Sequence, residues 1–189
     1  GDFVQLDNGI TIASNYDLPE TITATLSTRV VFEDGLNNFD PNHNTDLNDI
    51  EGSTGIGGGV TSQVYTYAQL ATLVSSGADE NVTIRLADAA QIDGEDTGIN
   101  SKGDDVIYDV VSATQINGVS DVDGRIVFTL EQTAGTGTPD NPTDDAWTFT
   151  LIDQVDHEPN NAASSDNDES VTLNLAPAFV AVDFDGDFV

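Results

Sequence analysis

The sequence predicts an all-β protein: an antiparallel, Ig-like β-sandwich elaborated with long loops and one short helix. Three observations carry that reading. Apolar and polar residues alternate with period two in six separate segments. Only one segment carries helical spacing. Long polar stretches separate the alternating ones.

The strands come in order. "TITATLSTRVVF" sets Ile22, Ala24 and Leu26, then Val30 and Phe32, against Thr and Ser. "NVTIRLAD" puts Val82, Ile84 and Leu86 on one face, with Thr83 and Arg85 on the other. "DVIYDVV", "GRIVFTLE", "AWTFTLI" and "SVTLNLA" repeat the alternation, with Trp147, Phe149 and Leu151 opposed by Thr148 and Thr150. Outward-facing Thr favours the extended backbone without adding apolar surface. "TYAQLATLVSSG" differs: Tyr67, Leu70, Ala71 and Val74 fall at helical spacing. Thr66 is placed as its N-cap and Gly77 as its stop. Four polar stretches remain between strands, at 37–59, 93–105, 133–145 and 157–170. The first is too long for a hairpin loop. It lacks the GK[ST] of a phosphate cradle and does not follow the Gly-Asp nonapeptide of a calcium β-roll.

Charge narrows the function. Four Lys+Arg face 34 Asp+Glu, a formal net charge of −30. Such a chain is not expected to bind nucleic acid, whose phosphates require a basic surface, or an anionic membrane. It is nonetheless expected to fold. Its apolar share is about 45% when Gly is counted and Tyr left out, an ordinary globular value. With no Cys, neither a disulfide nor a thiolate metal site is available. No apolar run approaches the length of a membrane span. Carboxylate-bound divalent cations are the staple that remains, and calcium is the ion that many flexible carboxylates suit.

The candidate ligands follow from position. "DFDGD" places Asp183, Asp185 and Asp187 at alternate positions, on one face of an extended segment and about 7 Å apart. Calcium takes 6–8 oxygens at about 2.3–2.6 Å, so a second segment has to contribute. Glu33 and Asp34 in "FEDG", and Asp153 and Asp156 in "DQVDH", each follow a strong strand directly. Both are expected at one end of the sandwich. "DVDGRIVFTLE" is rejected as an EF-hand, because Val119 stands at the first ligand position and Glu131 comes one residue late. Catalysis finds little support, and the chain is expected not to be an enzyme. His43 and His157 lie in no HExxH motif, and there is no GxSxG elbow. With 8 Phe, 4 Tyr and 1 Trp, material for a sugar-stacking cleft is scarce. No small-molecule substrate is expected.

"GDFV" occurs twice, at Gly1–Val4 and Gly186–Val189, an offset of 185 residues (186 − 1). That spacing exceeds the roughly 20–50 residues of solenoid repeats. Residues 1–185 therefore read as one period of a tandem array, with room for an extra lobe or long insertion within 37–120. Residues 186–189 read as the start of the next period. The absence of an initiator Met and of a signal peptide fits an internal piece of a longer chain.

Several stretches together resemble a family. "VVFEDGL" (30–36), "LATLVSSGAD" (70–79), "WTFTLIDQVDH" (147–157), "DNDES" followed by "VTLNL" (166–175), and "VAVDFDGDF" (180–188) stand in the order found in the extender repeats of giant type I-secreted RTX adhesins. The chain is most similar to their large "type I secretion target" repeats. It departs at the joint, where Phe184 replaces the usual Ala. The resemblance implies an extracellular, calcium-dependent spacer on the bacterial cell surface, whose partners are neighbouring repeats of the same chain. A calcium-dependent sugar- or peptide-binding module of the same adhesins is the alternative, with 37–59 as its surface.

Overall fold

The computed structural model describes residues 9–13, 29–33, 36, 60–72, 83–134, 142–156 and 170–182. Among these the strands are β1 (Gly9–Ala13), β2 (Arg29–Phe32), β3 (Ser62–Thr66), β4 (Thr83–Leu86), β5 (Asp96–Ser101), β6 (Asp104–Ser112), β7 (Gln115–Ser120), β8 (Ile126–Ala134), β9 (Ala146–Leu151), β10 (Ser170–Asn174) and β11 (Phe179–Val182). Two short helices interrupt them, α1 (Tyr67–Ala71) and α2 (Ala89–Ile92). The fold is all-β. The main sheet has six strands in the order β3-β9-β8-β7-β6-β5, every neighbour antiparallel. A second sheet runs β10-β1-β2, and a third pairs β11 with β4. The β1–β2 pairing is parallel, a departure from the all-antiparallel expectation. No helix among the described residues is long and apolar enough to cross a membrane.

The chain builds β5 to β8 of the main sheet as a meander because the turns between them are short. Lys102 and Gly103 connect β5 to β6 with φ of 56° and 85°, the left-handed pair that matches strand twist in a two-residue hairpin. Ala113 and Thr114 connect β6 to β7. The five residues Asp121–Arg125 lead from β7 into β8, with Gly124 left-handed at 71°. "DVDGRIVFTLE" is thus a hairpin turn followed by a strand, in accord with its rejection as an EF-hand.

Alternation translates into burial as expected. Trp147, Phe149 and Leu151 are buried while Thr148 and Thr150 are half-exposed. Ile84 and Leu86 are buried between half-exposed Thr83 and Arg85. All three sheets contribute to one core. Phe128 stacks on Phe149 with centroids 5.2 Å apart and meets Tyr108 edge-on at 6.4 Å. Trp147 meets Phe179 of β11 edge-on at 5.7 Å, joining the main sheet to the β4–β11 pair. The Tyr108 hydroxyl donates to Asn174 O, joining it to the β10 sheet.

Two expectations are corrected. The polar stretch 93–105 contains β5, whose inward residues are Thr97, Ile99 and Ser101. Only one of these three is apolar, so hydrophobic alternation could not reveal the strand. Among the described residues there are two α-helices, not one. α1 has Thr66 as its N-cap, as expected, with Gln69 Oε1 accepting the Thr66 N–H at 3.0 Å, but ends at Ala71 with Thr72 as its C-cap. Gly77 lies outside the described residues. α2 uses the same device one element later, Asp88 N–H donating to Gln91 Oε1 at 2.8 Å.

A candidate electrostatic site at one end of the main sheet

The β5–β6 turn, the β7–β8 turn and the segment after β9 meet at one end of the main sheet. Ile152 and Asp153 both donate their N–H to Val127 O, an irregularity that turns Asp153, Gln154 and Val155 inward, where all three are buried. Glu33, directly after β2, accepts the Val155 N–H through Oε1 and is 2% exposed. Asp156 accepts from the N–H groups of Lys102 and Gly103, both at 2.7 Å, and its own N–H donates to Asn100 O. The Ser101 hydroxyl donates to Gln154 O. The turn before β6 and the tail after β9 are thereby fastened together.

Asp153 is the hub. Lys102 Nζ lies 2.9 Å from its Oδ1, and Arg125 Nη1 lies 2.9 Å from its Oδ2. Oδ1 also accepts the Gln154 N–H at 3.0 Å. Arg125 Nη1 reaches Ser101 Oγ at 2.9 Å, while its Nη2 reaches Asp104 Oδ2 and Ser101 O, both at 3.3 Å. Ser120 Oγ donates to Asp104 at 2.9 Å. With only four Lys+Arg in the chain, two meet on this one carboxylate. Two cations and a backbone N–H offset the desolvation of a charge whose side chain is 4% exposed. Asp123 stands at the rim, where the Arg125 backbone N–H above all holds its carboxyl below the ordinary range.

No protein-family model, curated protein or solved structure matches this chain.

Of the metal candidates, the structure brings Glu33, Asp153 and Asp156 to one end. Asp34, Asp183, Asp185 and Asp187 lie outside the described residues, as do the 37–59 segment and both copies of "GDFV". At Asp153 the positions a calcium ion would take are held by Lys102 and Arg125. At Asp156 each oxygen accepts one backbone N–H, which leaves lone pairs on both. Among the described residues, no three His, Asp or Glu side chains converge as a metal group. Sequence reasoning missed Lys102, Arg125, Asp104 and Ser101. The available signal was scarcity: in a chain of four cations, any cation placed inside the fold marks a carboxylate it must neutralise.

Proposed function

We propose that the chain is a calcium-stabilised structural extender of a long bacterial surface adhesin, an Ig-like spacer that projects ligand-binding domains from the cell. The observation that carries the reading is the charge and how the fold uses it. Thirty-four acidic residues face four basic ones, and two of those four converge on Asp153. Most of the remaining carboxylates have no cation of this chain to neutralise them, so neutralisation falls to ions from the medium. Calcium, with its many flexible oxygen ligands, is the divalent ion such a surface suits. The resemblance to type I-secreted extender repeats and the 185-residue recurrence of "GDFV" support the spacer role, with neighbouring repeats as partners and the extracellular cell surface as the location. Asp183, Asp185 and Asp187 are the carboxylates assigned to the joint between repeats.

Small-angle scattering on a tandem of two repeats tests this. Calcium is expected to increase the maximum dimension over that in chelator, by stiffening the joint around Gly186. Asp185→Asn should abolish the increase and leave each repeat folded. Equal dimensions in calcium and chelator would overturn the spacer reading.

A further inference from the structure

The outer face of the main sheet carries an apolar row that the spacer role does not require. Along β7, Gly118 and Ser120 face the core, so Val119 between them faces outward. Val119 pairs with Ile107 on β6 and with Ile126 on β8. On the far side of β8, Ile152 donates its N–H to Val127 O, beside Ile126. The β3–β9 register, Ser62 opposite Thr150, places Val60 opposite Ile152 when continued by two residues. Val60, Ile152, Ile126, Val119 and Ile107 thus cross five adjacent strands. At about 4.8 Å per strand the row is about 19 Å long. Val60 is 53% exposed, Ile152 42% and Ile126 40%, and Val122 on the adjoining turn is 73% exposed. These are four of the six most exposed large apolar side chains among the described residues.

The charges around the row share one sign. Asp96 pairs with Ile107 and closes the row at the β5 end. Asp105 and Asp109 stand two residues either side of Ile107, on the same face. Asp121 and Asp123 flank Val122. Lys102 and Arg125, on the β5–β6 and β7–β8 turns, are turned to Asp153. A second copy of a chain with net charge −30 meets repulsion here, whereas a cationic chain with an aliphatic stripe meets attraction on both counts. We propose that this row is a docking surface for a cationic amphipathic polypeptide segment, about thirteen residues long if helical.

A synthetic Leu/Lys amphipathic peptide of about that length is the probe, titrated calorimetrically into the full chain. The titration is run at about 0.5 M NaCl, where exposed charges more than a few ångströms apart are screened. A Ser/Lys peptide of equal charge is the control. The Leu/Lys peptide is expected to bind and the control not to. Ile126→Thr combined with Ile152→Thr, which keeps the β-branched backbone preference, is expected to weaken Leu/Lys binding at least about tenfold in a chain still folded at the titration temperature. Equal binding by the variant overturns the proposal, as does equal binding of the two peptides, since either reduces the attraction to bulk charge. A dimer in sedimentation that the variant abolishes means the row pairs two copies, which also overturns the proposal.

Discussion

Asp153 and Tyr108 are the two side chains on which the interior depends most visibly, for opposite reasons. Asp153 is a buried charge held by two cations, so truncation harms the fold through what it leaves behind. Asp153→Ala takes from Lys102 its paired carboxylate and leaves Arg125 only Asp104 at 3.3 Å and Asp123 at 3.7 Å, and is expected to cost about 3 kcal/mol in urea unfolding. Lys102→Met leaves Arg125 in place and should cost distinctly less. Equal costs would mean that Lys102, not Arg125, is the partner that matters. Tyr108 is buried as a neutral acid. Burial, and then the charge of Asp96, push its hydroxyl up to about 12. A folded-state value above the unfolded one, about 10, means the contribution is complete below pH 10. It is lost as the pH rises through the folded value. The loss between pH 10 and 12 is of order 3 kcal/mol. Tyr108→Phe forfeits the bond to Asn174 O, about 1 kcal/mol near neutrality, yet should flatten the alkaline limb of the stability curve. An unchanged alkaline limb would assign that loss of stability to other groups.

At the scale of elements, legibility followed the chemistry of the buried face. Strands whose inner face is wholly apolar, β4 and β9 above all, were visible from alternation alone. β5 was not, because its inner residues Thr97 and Ser101 are buried through hydrogen bonds that sequence does not announce: Thr97 Oγ1 to Val106 O, and Ser101 to Gln154 O and Arg125. β7 was hidden for a different reason. Gly118 occupies a core-facing position and leaves no side chain to read. A Cβ added there would fall 2.1 Å from Phe128 Cε1, so the ring fills the space over the glycine. Gly118→Ala is therefore expected to destabilise by about 1–3 kcal/mol through overpacking. Combined with Phe128→Leu, it should cost less than the two changes summed. Additive costs in that double-mutant cycle would show that the ring is not what excludes the methyl group. The end-of-sheet site was half legible. That Glu33 and the Asp153–Asp156 segment share one end followed from each standing directly after a strand. The cations between them did not, since their placement depends on the hairpin register joining β5 to β6 and β7 to β8.

For the whole molecule, charge sets the balance. Thirty excess negative charges on 189 residues repel one another in any compact state and relax when the chain unfolds. Two kinds of cation relieve this differently. Monovalent salt screens without binding, so stability should climb gradually and without saturation as the Debye length shrinks from about 8 Å at physiological ionic strength. Calcium on carboxylate sites saturates. A site with a dissociation constant of about 10⁻⁴–10⁻³ M, typical of extracellular modules, adds about 1.4 kcal/mol at ten times that concentration. For a domain of this size that is a rise of roughly 3–6 °C per site. Magnesium demands near-octahedral geometry and dehydrates reluctantly, so it should resemble screening more than binding. Thermal melts in calcium and magnesium at matched ionic strength separate these cases. A saturating rise with calcium, well above that with magnesium, is expected if carboxylates such as Glu33, Asp156 or the "DFDGD" aspartates form ion sites. Equal rises would leave only screening, and the acidity of this chain would then need a reason other than calcium.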